Sequence, residues 1–318
     1  MGTVVTVRWS TPEPESSHVA FGYTEALGRR SASSEGTEHE ATLLGLRPDE
    51  IVHLQVVSES ASSVVETITT GPLPDDVPEM TLTGDPDALP GYLLVPLIGS
   101  AGMAVIIDPE GHIVWQHPLD GRDSAYRMWL DRAAGHITFN NFAMDNSGRI
   151  DRVSLDGTTH EMLDFTDHNH DFVVLPDGDF AAIATIRKGV EGDIVAGDGI
   201  YRADMEGNTE ILWSAWDHFE YTGRTENTPD TLGGWTHANA IDHDPEGDAF
   251  YLSLRSFDAI LKITESTGDI EWILSGDEAL SDFTFAEGSA PTSHQHQFEM
   301  VSEAVSYTHL RAHETASD

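Results

Sequence analysis

Between Val105 and Trp272 apolar and polar positions alternate with the period of a strand, and no helical period competes with it. Units of the form apolar-x-apolar, acidic residue, Gly, apolar-x-Trp run from Val105 to Trp115, Tyr201 to Trp213 and Ile260 to Trp272, with Arg152 to Leu163 a weaker copy. Their turn glycines, Gly111, Gly157, Gly207 and Gly268, recur at roughly the interval of one four-stranded propeller blade per repeat. A second hairpin series interleaves with the first: Met128 to Phe139, Phe172 to Ala184 and Ala240 to Leu254, turning at Gly135, Gly178 and Gly247. Asp177-Gly178 and Glu246-Gly247 read as hairpin turns because glycine accepts a positive φ. Each blade is therefore predicted as hairpin plus hairpin.

Residues 1–71 form a separate block in which Val5 to Trp9, His18 to Tyr23, Glu40 to Leu44, Val52 to Ser58 and Glu66 to Thr70 read as short strands of a small β-sandwich. Leu46-Arg47-Pro48, with Leu44 before it and Val56 after, resembles the fibronectin type III pattern, although the usual corner tyrosine would fall at Val52. A proline-rich linker at 72–79 leads into residues 80–304. The predicted class is all-β: an N-terminal β-sandwich followed by an incomplete β-propeller of about four blades. Residues 305–318 resemble a translated sequencing adapter more than a strand, and they are set aside as non-native. On that reading the gene continues and the closing blades are missing.

Four polar clusters give this scaffold candidate chemistry: Arg127, His168 to His170, His237 and His294 to His296; the first three each stand just ahead of a turn glycine, and His296 should start another blade whose hairpin turns near residues 304 to 306. A propeller sends the start of each blade's inner strand into one central channel, where residues far apart in sequence meet. Strand alternation places His168 on the face of His170, and His294 on that of His296. Asn239 either orients a substrate oxygen or closes a turn. Arg127 is a candidate by repeat position.

Charge narrows the partners. The chain of 318 residues carries a net charge of −39, and Lys188 and Lys262 are its only lysines. Such an acidic surface suits high salt, where carboxylates keep the chain hydrated and screening acts over roughly 3 Å. Nucleic acid is excluded as a partner, because no basic stripe exists to neutralise phosphates. No apolar run is long enough to span a membrane as a helix. Cysteine is absent, so thiolate chemistry and disulfides are not available.

Trp235-Thr236-His237-Ala238-Asn239-Ala240-Ile241, then Ser253-Leu254-Arg255-Ser256, then Thr267-Gly268-Asp269-Ile270-Glu271-Trp272, resembles the central signature of the bacterial and archaeal arylsulfate sulfotransferases. His168-Asn169-His170-Asp171 followed by Leu175-Pro176-Asp177-Gly178 is similar to that family's preceding blade, and Gln295-His296 to its catalytic strand. Roughly residues 80 to 300 are covered. The resemblance implies a propeller of six blades that moves a sulfuryl group from an aryl sulfate to a phenol through a sulfohistidine, with no cofactor and no nucleotide-activated sulfate. It further implies His296 as nucleophile, with His170, His237 and Arg255 around the transferred group, and an extracellular or periplasmic location.

Elementary chemistry supports such roles. A neutral imidazole is a competent nucleophile, and an arginine fork binds spread-out anionic oxygens. His237 or His170 would handle the phenolic proton, and the sequence does not separate the two. Two other classes remain open. One is a metal-dependent propeller hydrolase or lyase using His168-x-His170, His294-x-His296 and Asp171; the other is a non-catalytic binding propeller. An open arc of blades is expected to have little activity by itself.

Overall fold

The computed structural model describes residues 2–78, 80, 83, 91–98, 102–119, 124–131, 134–142, 147–221, 235–287, 289, 292–298 and 300. The chain divides into two compact units, Met1–Asn141 with Asp151–Glu161, and Phe142–Ile150 with Met162–Asp318.

In the first unit β1 (Val5–Gly22), β2 (Arg29–Arg30), β3 (Ser34–Leu43), β4 (Ile51–Ser58) and β5 (Glu66–Thr69) form one sheet of order β2-β1-β4-β5, with β3 also on β1. The two strands expected at Val5 to Trp9 and His18 to Tyr23 are thus one long strand. Its pairing with β3 shifts register between Ser10 and Glu15, where Pro12 and Pro14 lack the N–H a ladder needs. Both halves of β1 contribute to one core, in which Val19, Phe21, Leu43, Leu46 and Val52 are buried and Val5, Val7 and Trp9 pack against them.

The blades follow as predicted. Strands β6 (Leu93–Leu97), β7 (Met103–Ile107) and β8 (Ile113–Pro118) make a three-stranded sheet. Strands β9 (Ser124–Asp131), β10 (His136–Phe142), β11 (Gly148–Ser154) and β12 (His160–Phe165) make a four-stranded one, through which the division between the two units runs. The second unit holds two complete sheets, β13 (His168–Val174) with β14 (Phe180–Val190), β15 (Asp193–Ala203) and β16 (Thr209–Ser214), then β17 (Ala238–Asp244) with β18 (Ala249–Leu254), β19 (Ala259–Thr264) and β20 (Ile270–Ser275). All hairpins of both interleaved series are present.

Gly111, Gly135, Gly157, Gly178, Gly207 and Gly268 all take positive φ at their turns. At the β17–β18 turn the left-handed position falls on Asp248 (φ 51°) instead of Gly247. There the Asp244 carboxylate accepts the Gly247 N–H at 3.0 Å, while Asp248 receives the Ser266 N–H, so side-chain bonds hold the turn. Among the described residues no helix is long and apolar enough to cross a membrane. The hairpin expected near 304–306 and the tail at 305–318 lie outside the described residues.

Candidate functional site

Strands β13 and β17 lie side by side at the start of the two sheets of the second unit; β13 carries a histidine in the left-handed region near its beginning, and another such histidine immediately precedes β17. His170 has φ 50° and His237 φ 47°. The strand registers shift between His168 and Phe172, around His170, and between Ala238 and Ala240, just after His237, as at β-bulges. A non-glycine residue held there costs on the order of 1–3 kcal/mol and persists only where its surroundings over-determine it.

Those surroundings are visible. The Arg255 N–H donates to the His237 carbonyl at 3.0 Å and the Ser256 N–H to that of Thr236 at 3.3 Å. Buried Asp198 on β15 accepts from Thr236 Oγ1 at 2.5 Å and from the Ala238 N–H at 2.8 Å, bracketing His237 on both sides. Beside His170, buried Asp171 accepts from the N–H groups of Phe172 and Ile241. These carboxylates occupy the gaps that the bulges open in the hydrogen-bond ladder.

The third histidine sits outside regular structure. His296 belongs to the stretch 292–298, which is pinned against β17, β18 and β19 by its neighbours. Gln295 Nε2 donates to Ser253 Oγ at 3.0 Å and to the Ala259 carbonyl at 2.8 Å. Asn239 Nδ2 donates to the Gln295 carbonyl at 2.8 Å, and Asp258 Oδ1 accepts the His294 N–H at 2.5 Å.

Together these elements bring His170, His237 and His296 to one place, with a nitrogen of each within 4.8 Å of the others. Ring centroids stand 5.1 Å apart for His170 and His237, and 5.6 Å apart for His170 and His296. Burial pushes His170 down to about 3, with His237, His296, His168 and Arg255 adding positive-charge repulsion. Burial and then Arg255 lower His237 to about 4, and the same two causes lower His296. All three rings are therefore neutral at neutral pH, and Arg255 is the fixed cation beside them. Among the described residues no carboxylate forms an ion pair with Arg255, which leaves its guanidinium for another anion.

Three converging imidazoles are also the ligand set a zinc ion would use, which makes His170, His237 and His296 the residues able to hold a metal. Such a centre would need metal–nitrogen bonds of about 2 Å, and Arg255 would repel a cation. The pairs read from sequence, His168 with His170 and His294 with His296, are not what the fold assembles. It takes one histidine from each of three segments. Asp171, a proposed metal ligand, is buried and bonded to backbone N–H groups.

The remaining candidates fall elsewhere. His168 is 1% exposed, packed among the rings of Phe142, Phe165 and Phe172, and its Nδ1 bonds the Ile183 carbonyl at 2.9 Å. Asn239, 3% exposed, ties β17 to the segment that carries His296. Arg127 belongs to the first unit, where its guanidinium lies 5.1 Å from the centre of the Trp129 ring and its N–H donates to Asn140 Oδ1. Asp198 and Asp258 were not singled out from sequence, and Asn169 and Gln295 entered only as motif neighbours of His170 and His296, with no role assigned. Their partners are remote along the chain, and no local pattern marks them.

No curated protein matches this chain. Among solved structures it is similar to a protein of unknown function from Bacteroides caccae (19% identity over 59% of this chain and 58% of that one, TM-score 0.38). It is likewise similar to hydrazine synthase from Kuenenia stuttgartiensis (13%, 67% and 59%, TM-score 0.40) and TolB from Acinetobacter baumannii (16%, 72% and 55%, TM-score 0.36). The chain spans less than two thirds of the length of each. Residues 92–312, well over half of the sequence and including all three clustered histidines and Arg255, match the family described as Arylsulfotransferase (ASST), and the chain belongs to that family.

Proposed function

We propose that this protein transfers a sulfuryl group from an aryl sulfate to a phenol through a covalent intermediate on His296, without nucleotide-activated sulfate. The observation that carries the reading is the convergence of three neutral imidazoles beside a guanidinium that has no carboxylate partner among the described residues. Of the three histidines, His296 is the exposed one, which suits a group that must meet two substrates in turn.

In the first step a ring nitrogen of His296 attacks sulfur, an N–S bond forms and the S–O bond to the donor phenol breaks. A proton from water, or from the histidine protonated in the preceding transfer, neutralises the departing phenolate. In the second step the acceptor phenol oxygen attacks sulfur, the N–S bond breaks, and the phenolic proton passes to a histidine. Sulfuryl transfer resembles phosphoryl transfer in needing in-line geometry and stabilisation of three equatorial oxygens. Arg255 supplies a rigid fork for those oxygens, and His170 and His237 supply the walls and the proton acceptor.

Incubation with 4-nitrophenyl sulfate tests this directly. Nitrophenol released in excess of enzyme only when phenol is present, together with one sulfuryl group mapped to His296 after exposure to donor alone, is the expected result. A second reading, a metal-dependent hydrolase, rests on the same three imidazoles within 4.8 Å of one another. It predicts release without acceptor, abolished by a chelator. No release and no modification of His296 would leave a binding propeller.

A further inference from the structure

We infer that Asp198, acting through Asn169, fixes which nitrogen of His170 carries the proton, and thereby makes His170 the proton acceptor at this site. The inference deepens the sulfotransferase reading and rests on it for the chemical step alone.

It starts at a buried acid. Asp198 is 2% exposed in the middle of β15, and burial pushes its carboxyl up to about 6, against the pull of the Ala238 N–H, Thr236 and Asn169. At neutral pH it is ionised and can only accept hydrogen bonds. One oxygen takes the Thr236 hydroxyl and the Ala238 N–H. The other lies 3.2 Å from the side chain of Asn169, so the Asn169 atom facing it must be the NH₂ group. That NH₂ also reaches Thr185 Oγ1 at 2.9 Å, a hydroxyl free to turn and accept. With the amide oriented, Asn169 Oδ1 faces the other way, 3.2 Å from His170 Nδ1. An amide oxygen cannot donate, so His170 Nδ1 carries the hydrogen and Nε2 carries the lone pair.

His237 has no such control. Among the described residues its buried Nδ1 has no hydrogen-bond partner, and Asp198 instead holds the Thr236 hydroxyl and the Ala238 N–H on either side of it. One carboxylate therefore sets the backbone pose of His237 and the tautomer of His170. Sequence left these two histidines as equal candidates for the base. The asymmetry assigns the task to His170: as the acceptor oxygen bonds to sulfur and the bond from sulfur to His296 breaks, the phenolic proton moves to His170 Nε2. Asp198 and Asn169 touch no substrate in this scheme and are positioning residues.

Nitrogen-15 NMR of the folded protein tests the tautomer without any assay of activity, and transfer kinetics test its use. The expected wild-type spectrum shows His170 with hydrogen on Nδ1. Asp198→Asn places a second amide against Asn169, which turns its oxygen toward position 198 and its NH₂ toward His170. The hydrogen of His170 then moves to Nε2, and kcat falls by about 10²-fold or more with donor KM changed only a few fold. The exchange variant Asn169→Asp with Asp198→Asn restores an acceptor opposite Nδ1, and should recover both the tautomer and most of the rate. Asn169→Ala, which leaves Asp198 bonded to Thr236 and Ala238, is expected to release the tautomer even if Asp198→Asn does not fold. An unchanged His170 tautomer in the folded single variants, or an exchange variant that regains neither the tautomer nor the rate, overturns the inference. A tautomer that follows these changes in a protein with no transferase activity would instead overturn the proposed function and leave the Asp198 relay standing.

Discussion

The side-chain amide of Asn239 donates to the backbone carbonyl of Gln295 at 2.8 Å, joining residues 56 apart in sequence. Through this bond an inner strand holds the irregular segment that carries His296. Asn239→Ala leaves that carbonyl without its donor in a buried place, which costs about 1–3 kcal/mol. The predicted outcome is a lower urea midpoint by that amount and a larger proportional fall in sulfation of His296, since the segment loses its register against β17. A stability loss with unchanged sulfation would show that Gln295 alone, through Ser253 and Ala259, suffices to place His296.

His168 should make the fold acid-sensitive. Burial lowers its folded-state value to about 4, while the bond to the Ile183 carbonyl raises it only in part. The unfolded chain binds a proton near pH 6.5, so stability from this group is present above 6.5 and is lost as pH falls toward about 4. The full effect is on the order of 3 kcal/mol. His168→Leu, compared with wild type by denaturant unfolding across that window, should show a shallower fall by about that much. Equal slopes for the two proteins would mean that the ring accepts a proton in place.

The clustered histidines make the opposite claim about catalysis. Because burial and Arg255 lower His237 and His296, and burial lowers His170 furthest, the three rings stay neutral below the ordinary imidazole range. The acidic limb of kcat/KM is therefore expected below pH 6.5, within the range where the fold still holds. Arg255→Met removes a cation that depresses all three, so the limb should move upward while KM for the aryl sulfate rises. A limb that stays in place would separate Arg255 from the histidines electrostatically.

The hairpins were legible because their signals are local: alternation along a strand and a glycine at its turn. Convergence of positions 170, 237 and 296 was legible because blade repeats place equivalent residues at one end. The supporting acids were not. Asp198 lies between Gly197 and Gly199, residues common in turns, yet it sits mid-strand opposite Thr185. Its partner Thr236 is 38 residues away, a distance at which alternation carries no information. Likewise, the bend at Pro12 and Pro14 read as a strand break, whereas β1 passes through it as a bulge.

The glycines beside Asp198 serve close packing instead of a turn, and that makes a last prediction. A Cβ at Gly197 would meet the indole nitrogens of Trp235 and Trp216 at distances real side chains do not adopt. Those two rings stand 5.1 Å apart, and Tyr221 and Phe257 complete an aromatic cluster with Trp235. Trp235 precedes His237 by two positions and Phe257 follows Arg255 by two, so the backbone ties the cluster to both residues. Gly197→Ala must push an indole aside, at a cost of about 1–3 kcal/mol. Tryptophan fluorescence should shift to the red as Trp235, now 2% exposed, meets water, and transfer activity should fall with it. An alanine variant with native fluorescence and native rate would show that the Trp216–Trp235 contact yields freely and does not set the position of His237.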